Sequence, residues 1–162
     1  MVWTSADGAS WTKVPDSATF RDARMRSVAA VPGIGLVAAG EDLAGDTGII
    51  WTSRDGLSWR RVLTNPVFGR PGIQVRMYDV TPGPAGAVVV GTVTEGLQYG
   101  VGVVWSSPDG VVWSRTPSSP ELLDTEMNAA TLWSDRVVAV GDRGAPDAYQ
   151  ATAWVGSEVR AR

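Results

Sequence analysis

The sequence contains no cysteine and no histidine. Without cysteine, neither a disulfide framework nor thiolate chemistry is available. Without histidine, the commonest general base and the commonest metal ligand are both missing. These absences exclude zinc sites of the usual type and nucleophilic catalysis by Ser-His-Asp or Cys-His groups.

Long apolar runs and runs of basic charge are also missing. The longest weakly polar stretch, residues 27–40, is too short to span a bilayer, which takes about 20 apolar residues, and Pro32 and three glycines interrupt it. Lys and Arg never form a run longer than two, and the formal net charge is −3 with a pI of about 4.9. We therefore expect no membrane span and no nucleic acid partner.

Lysine is nearly absent as well, since Lys13 is the sole lysine among 14 basic residues. On composition alone, this bias towards arginine indicates a GC-rich bacterial genome. The chain opens directly into strand-like sequence without a signal peptide. This opening is compatible with a cytosolic protein or with a mature or excised piece.

Glycine and tryptophan are abundant, with 19 glycines and with 8 tryptophans against 3 tyrosines and 2 phenylalanines. In a chain of 162 residues, this composition favours one domain of short strands and tight turns over helices. Two sets of residues recur about every 50 residues: Trp3, Trp51, Trp105 and Trp154, and Gly40, Gly91 and Gly141. A period near 50 with strand-like units predicts a propeller or another repeat array.

One repeat unit is predicted to contain four strands. The first two are apolar and predicted to be buried, and the fourth is predicted to be a polar outer edge. The first strands are expected at 25–32, 75–82 and 127–134, and the second at 35–40, 87–91 and 136–141. The third are expected at 48–53, 102–107 and 151–156, and the fourth at 58–62 and 112–116. The units span about 1–16 (partial), 21–64, 74–116 and 126–160, and one helical turn fits within 118–128.

A short motif, S-x-D-G-x-x-W, occurs three times between the third and fourth strands. Its residues are Ser5, Asp7, Gly8 and Trp11; Ser53, Asp55, Gly56 and Trp59; and Ser107, Asp109, Gly110 and Trp113. Asp accepts hydrogen bonds from the backbone of its own turn, Gly suits a positive φ, and Ser braces the turn. Trp is expected to bury its ring while its N–H finds a partner.

These residues resemble the Asp-box, or BNR repeat, of β-propellers. The family pattern, S-x-D-x-G-x-x-W, has one more residue between Asp and Gly than this chain has. In such propellers the box is a structural element on the turn between strands three and four, away from the usual ligand face. Sialidases, xyloglucan-cleaving glycosidases and sortilin-like receptors all carry it, so the resemblance implies a fold rather than an activity.

The resemblance implies an all-β fold of about three to three and a half four-stranded antiparallel propeller blades. A closed propeller typically needs about 4 to 8 blades. Two chains pairing into a six-bladed ring is one interpretation, and a fragment of a longer propeller is the other. The third strand is predicted four times and the first two only three times, so a two-fold ring would bring the strands at 2–5 and 151–156 into one position.

The candidate site lies in the loops that join strand four to one and strand two to three, because binding residues concentrate in such loops. Arg26, Arg76 and Asn128 are predicted to hold matching positions at the mouth of the channel, with Tyr78, Asp22, Asp124 and Glu126 nearby. Two arginines could hold a carboxylate, a phosphate or a sugar acid. Alternatively, they pair with neighbouring acids and have no ligand. Four aromatic residues of these loops, Phe20, Phe68, Tyr99 and Tyr149, could stack on sugar rings or enter a partner's pocket, but Phe20 and Phe68 are expected to anchor the loops instead.

The expected function is a non-catalytic binding scaffold for a glycan or a protein, with self-association or further blades as partners. The alternative is part of a sialidase-like or other Asp-box glycoside hydrolase. Sialidases use three arginines, a Tyr/Glu pair and an Asp, and other glycosidases need two carboxylates, for which Glu41 is a further candidate by location. No cofactor is implied, and Asp42 with Asp46, or Asp142 with Asp147, are weak calcium candidates, so no metal site is predicted. The resemblance implies an extracytoplasmic location.

Overall fold

The computed structural model of the protein describes residues 1–15, 18–62, 66–96, 99–145 and 147–156. Residues 157–160, the end of the last predicted unit, lie outside this part of the chain. Within it, the backbone forms thirteen β-strands and three 3-10 helices, which confirms the all-β class. The strands are Trp3–Thr4 (β1), Thr12–Lys13 (β2), Ala23–Val31 (β3), Gly35–Asp42 (β4), Gly48–Ser53 (β5), Trp59–Arg61 (β6), Ile73–Gly83 (β7), Gly86–Glu95 (β8), Val101–Ser107 (β9), Ser114–Arg115 (β10), Thr125–Trp133 (β11), Arg136–Arg143 (β12) and Gln150–Gly156 (β13).

The strands form four antiparallel sheets in which chain neighbours pair with one another. They are an N-terminal hairpin (β1–β2), a first sheet (β3–β6), a second sheet (β7–β10) and a third sheet (β11–β13). The first strands of the three large sheets overlap the predicted positions 25–32, 75–82 and 127–134. Among the described residues no sheet closes on itself. The 3-10 helices Ala18–Phe20, Pro66–Phe68 and Pro120–Leu122 each precede a large sheet, the last within the predicted helical turn.

The three large sheets stack face to face, with β7 lying against both β3 and β11. Along a strand, successive side chains point to opposite faces of the sheet, so alternate residues of a second strand pack against different neighbouring sheets. Val89 belongs to the cluster that joins the second sheet to the first, whereas Val88 and Val90 belong to the cluster that joins it to the third. The second sheet is therefore buried on both faces, which explains why the sequence of its second strand, β8, is nearly continuously apolar.

The recurring tryptophans of the third strands anchor the 3-10 helices. Trp51 and Trp105 are fully buried. The Nε1 of Trp51 donates to the carbonyl of Thr19 (2.8 Å), and that of Trp105 donates to Val67 (2.7 Å). Burying a ring of this size removes about 150–250 Å² from water, which is about 4–6 kcal/mol at ~25 cal/mol per Å². These residues recur because each holds the connection between two sheets.

The recurring glycines lie across from a β-bulge in the first strand of each large sheet. The bulged residues are Arg26, Tyr78 and Asn128. The glycines opposite are Gly40, Gly91 and Gly141. A Cβ on Gly91 would collide with the carbonyl oxygen of Arg76, and the other two glycines face the same obstacle. Glycine is needed here because the bulge brings two backbones into close approach.

One acidic side chain connects all three large sheets. Asp79, next to the bulge of β7, accepts a hydrogen bond from the Ser27 hydroxyl of β3 (2.6 Å) on Oδ1. Its Oδ2 accepts one from the backbone N–H of Ala130 in β11 (2.8 Å). Ser27 Oγ in turn accepts from the N–H of Val80 (3.3 Å). These bonds fix the relative positions of the innermost strands.

The S-x-D-G turns have the chemistry expected from the sequence. The Gly56 N–H donates to Ser53 Oγ (2.9 Å), and the N–H groups of the two residues after Gly56 donate to Asp55 Oδ1 (2.8 and 2.7 Å). Gly56 has a φ of 75°. The same bonds recur in the other two copies, and Gly8 and Gly110 have φ values of 75° and 74°.

The tryptophans of the motif behave differently from one another. Trp59 is half-buried and its Nε1 donates to the Gly56 carbonyl (2.9 Å), as expected. Trp113 is buried edge-to-face against Phe68, with ring centroids 6.0 Å apart, but its Nε1 has no hydrogen-bond partner. Trp11 is exposed. The expectation of burial with a satisfied N–H is therefore wrong for Trp11 and Trp113.

The lowered pKa values of the turn aspartates predict that the protein loses stability in acid. Backbone N–H donors hold the pKa of Asp7 and of Asp55 at about 2, below the ordinary value of 3.8. Because the folded-state pKa is depressed, their stabilisation is present above pH 4 and lost as the pH falls through the folded pKa near 2. We expect the melting temperature of Asp55→Asn to be lower than that of the unmodified chain at pH 6. The two melting temperatures should converge near pH 2. An equal difference at both pH values would contradict this account.

Candidate functional site

The loops that join strand four to one and strand two to three meet at one end of the sheets, which we call the loop end. The Leu43 N–H donates to the Asp22 carbonyl (3.0 Å), and the Val75 N–H donates to the Gly45 carbonyl (2.7 Å). A bridge between Thr47 and Gly69 joins the same loops. Each loop therefore contacts the start of a neighbouring first strand, which places the bulges close to the loop end.

Asp22 and Asp124, two of the predicted site residues, serve as turn residues here. Each lies directly before a first strand with a positive φ, 52° and 56° respectively. Their carbonyls accept hydrogen bonds from Leu43 (3.0 Å) and Gly144 (2.8 Å). Asp tolerates this left-handed conformation better than most residues, which accounts for both positions without a ligand.

The centre of the loop end is a buried carboxylate, Glu41 in β4, whose side chain is 2% exposed. The Nε of Arg26 donates to both of its oxygens (2.9 and 2.7 Å), and an Arg26 terminal nitrogen lies 2.7 Å from Oε1. This hydrogen bond raises the pKa of Arg26. A buried carboxylate requires such a partner, since an unpaired buried charge is costly.

Two further arginines approach the same carboxylate without bonding it closely. Terminal nitrogens of Arg24 and Arg76 lie 3.7 Å and 3.9 Å from Glu41 Oε1. Their side chains are 59% and 37% exposed. Three guanidinium groups from two sheets thus surround one carboxylate, and the excess positive charge is on the two arginines that reach solvent. We call Arg24, Arg26, Arg76 and Glu41 the arginine cluster.

Tyr78 extends the arginine cluster towards the third sheet. The Arg26 guanidinium lies 5.4 Å from the centroid of its ring, a cation–π distance. Its hydroxyl donates to Glu126 Oε2 (3.3 Å). Burial, and then the negative charge of Glu126, raise the pKa of Tyr78 to about 12. Tyr78 is therefore a neutral hydrogen-bond donor at physiological pH.

The predicted match of Arg26 with Arg76 and Asn128 is wrong by two residues in the second sheet. Opposite the recurring glycines lie Met25, Met77 and Met127. Arg26 therefore corresponds to Tyr78 and Asn128, and Arg76 corresponds to Arg24 and Glu126. Asn128 itself is exposed and donates to Asp142 Oδ2 (3.0 Å). The structure brings together Arg26, Arg76, Tyr78 and Glu126, and leaves Asn128 beside Asp142.

Sequence reasoning missed Arg24 and treated Glu41 only as one acid among several. Aligning the repeats on the methionine that faces the recurring glycine would have found Arg24, because Arg24 and Arg76 then coincide. Asp79 was missed as well, although a charged residue inside an apolar first strand is an unusual feature.

Phe20 and Phe68 have the anchoring role that was expected. Phe68 is buried and Phe20 is half-buried, and each belongs to a cluster that includes tryptophans of the sheet below. Tyr99 and Tyr149 are both exposed.

Asp42, a weak calcium candidate, is used by its own loop. Its Oδ1 accepts from the N–H groups of Gly45 (2.7 Å) and Asp46 (3.0 Å). Across the part of the chain that the structure describes, no three acidic side chains are grouped so that they could hold a metal ion. The same residues include no helix with the length and apolar character needed to cross a membrane.

A groove of about 550 Å³ lies at the opposite end, between the first and second sheets. Residues of the S-x-D-G turns line it, including Asp55, Trp59 and Asp109. It is separate from the arginine cluster, and its acidic groups are already bonded within their own turns.

No protein-family model matches this chain, and a comparison with curated protein sequences finds no match. The site is therefore interpreted from its own geometry.

Proposed function

We propose that the chain is a non-catalytic binding scaffold of the β-propeller type, with a glycan or protein ligand at the loop end. The propeller arrangement is supported by two four-stranded meanders and one three-stranded meander that stack face to face with their first strands adjacent. The S-x-D-G turns, at the end away from the arginine cluster, support the resemblance to Asp-box propellers.

The arginine cluster is the observation that carries the proposed binding role. Arg26 neutralises Glu41, whereas Arg24 and Arg76 are further from it and reach solvent. Glu41 attracts Arg24 and Arg76 to one place at the loop end from 3.7 and 3.9 Å, which leaves their guanidinium donors available to a ligand. The matching ligand group is an anion, such as the carboxylate of an acidic sugar or of an acidic side chain.

Arg76→Gln is expected to weaken binding of an acidic ligand at least about tenfold, because a hydrogen bond to a charged group is worth roughly 1.5–3 kcal/mol. The probes are a galacturonic acid hexasaccharide and a hexaglutamate peptide, with a neutral glucose hexasaccharide for comparison. Isothermal titration calorimetry at low ionic strength measures the dissociation constants, and added salt is expected to raise them.

The matched control is Arg60→Gln, an exposed arginine at the opposite end of the first sheet. It should leave the affinity for the acidic probes unchanged. Equal binding of the neutral and acidic hexasaccharides, no binding of either acidic probe, or equal losses in the two variants would each contradict the proposal.

A second candidate, a sialidase-like glycoside hydrolase, is favoured by one contact. Tyr78 donates to Glu126 (3.3 Å), which resembles the Tyr/Glu pair of sialidases, and three arginines stand nearby. Against it, Arg26 is fully engaged by Glu41. Hydrolysis of a fluorogenic sialoside by the unmodified chain, abolished in Tyr78→Phe, would favour this enzyme over the binding scaffold.

A further inference from the structure

The two interfaces between the large sheets are built in the same way. We call the face of each sheet that is turned to the next sheet in chain order its front, and the opposite face its back. On the second sheet, Val88 and Val90 belong to the front and Val89 to the back. Val88 and Val90 lie three residues and one residue before the recurring Gly91. The residues at the same distances before Gly40 are Val37 and Ala39, both buried, and those before Gly141 are Val138 and Val140.

The front of the third sheet is apolar but open. Val140 is 47% exposed and Val155 of the paired strand is 59% exposed, although Val90, the counterpart of Val140, is fully buried. No element of residues 1–15, 18–62, 66–96, 99–145 or 147–156 covers this face. A face of small β-branched residues exposed to water is typical of an interface.

The back of the first sheet is open at the corresponding place. Val28 is 58% exposed, whereas its counterpart Val80 in the second sheet is buried against the first. The front of the third sheet is therefore open, and the back of the first sheet is open around Val28, while Ala38 and Trp51 on the rest of that back are buried.

The charged residues of the two open faces also correspond to a pair that the internal interface uses. Across the first interface, Glu41 on strand β4 faces Arg76, 3.9 Å away. Asp142 is the counterpart of Glu41, because Asp142 pairs with Glu126 as Glu41 pairs with Arg24. Arg24 is the counterpart of Arg76 and is 59% exposed. A sheet stacked on the back of the first sheet in the internal manner brings an acid opposite Arg24.

We propose that two copies of the chain associate, with the front of the third sheet of each copy on the back of the first sheet of the other. The contact includes Val140 against the partner's Val28, Val155 at the partner's Gly56, and an ion pair between Asp142 and the partner's Arg24. Such a pair is symmetric and closed, since each copy uses both open faces once. The loop ends of the two copies then form one continuous surface. This inference rests on how the sheets stack and not on the proposed ligand.

The N-terminal hairpin lies beside the back of the first sheet, where Gly56 approaches Thr4 Oγ1. Trp3 and Thr4 correspond to Trp51 and Thr52, so the hairpin occupies the position that β13 of the incoming sheet would take. β1 and β2 form a two-stranded sheet of their own, although Val14 at its end is buried and must give up its packing if the hairpin moves. We therefore expect the hairpin, with its exposed Trp3, to move outward when the copies associate.

Light scattering on the full chain tests the proposal. Over about a hundredfold range of concentration, the mass is expected to reach a plateau at twice 17.1 kDa. Val140→Asp is expected to return the mass to 17.1 kDa. Val112→Asp, at an exposed valine in the turn at the other end of the second sheet, should leave the plateau unchanged. Circular dichroism checks that both variants are folded.

Charge reversal provides a second test that does not depend on Val140. Asp142→Arg and Arg24→Asp should each raise the dissociation constant of the pair about tenfold or more, and the double variant should restore much of the affinity. A mass of 17.1 kDa at every concentration would overturn the proposal. So would a mass that grows without a plateau, a Val140→Asp variant that is folded and still paired, or a double variant no tighter than the single ones.

Discussion

Gly91→Ala is expected to lower the free energy of unfolding by about 3 kcal/mol or more, a loss typical of a side chain forced into occupied space. The added Cβ would collide with the carbonyl oxygen of Arg76, which belongs to the backbone of the neighbouring strand and cannot rotate away. Relieving the collision requires the bulge at Tyr78 to open. In a chain of this size the melting temperature should fall by about 6–12 °C. Urea denaturation followed by tryptophan fluorescence measures the change.

Gly156→Ala is the matched control, because among the described residues, its chain neighbours aside, no atom lies within 4 Å of the position its Cβ would take. Gly156 is also in a strand, β13, so the intrinsic preference of alanine over glycine applies at both sites. We expect Gly156→Ala to change stability by less than about 1 kcal/mol. If Gly91→Ala and Gly156→Ala were equally mild, the close approach across the bulge would not explain why glycine recurs there.

The order of the strands could be predicted because the repeats are marked by residues with structural roles. Trp51 and Trp105 hold the 3-10 helices, and Gly91 with its counterparts sits opposite the bulges, so these residues recur at nearly constant spacing. The turns could be predicted for the same reason, since Asp55 and Gly56 satisfy backbone donors within a few residues of themselves. Hydrogen bonds between residues that are close in the chain can be predicted from the sequence.

The register of the first strands is marked in the sequence by the recurring Met25, Met77 and Met127, and not by the bulge, which adds a residue without a signal of its own. The alignment on Arg26 and Arg76 was plausible by residue type, but a slip of two residues keeps side chains on the same face. It therefore preserves the apolar pattern while exchanging Arg76 with Tyr78. Only the pairing of Met77 with Gly91 settles which residue faces which.

The arginine cluster was only partly accessible to sequence reasoning. Arg26 and Arg76 were expected near each other, but the choice between ligand binding and pairing with acids was open. Pairing with an acid describes Arg26, which is bonded to Glu41, while ligand binding by Arg24 and Arg76, which lie further from Glu41, is a proposal. The deciding group is the buried Glu41, whose burial depends on how two sheets meet and cannot be read from its own neighbourhood in the chain.

Asp79→Ala is expected to cost about 2–4 kcal/mol, because it leaves the Ala130 N–H and the Ser27 hydroxyl without their acceptors in the contact between the sheets. Asp79→Asn should cost less, since its amide oxygen can still accept from one of them. The exposed Asp135, whose closest partner is Arg136 at 3.9 Å, is the control. Asp135→Ala should change stability by less than about 0.5 kcal/mol. Urea denaturation gives the energies, and hydrogen exchange at the Ala130 amide reports the bond directly.

The pattern of backbone hydrogen exchange in Asp79→Ala shows whether Asp79 acts between the sheets or within the second sheet. Asp79 bonds β3 and β11, so its loss should reduce protection at Ala130 and leave the pairing of β7 with β8 intact. If Asp79→Ala lowered protection equally throughout β7 and β8, its role would be to hold its own bulge through the Val80 N–H. If it lowered protection nowhere, packing of the valine faces alone would position the sheets. The third sheet has Ala129 in the place of Asp79, so this bond is available at the two internal interfaces but not at its open face.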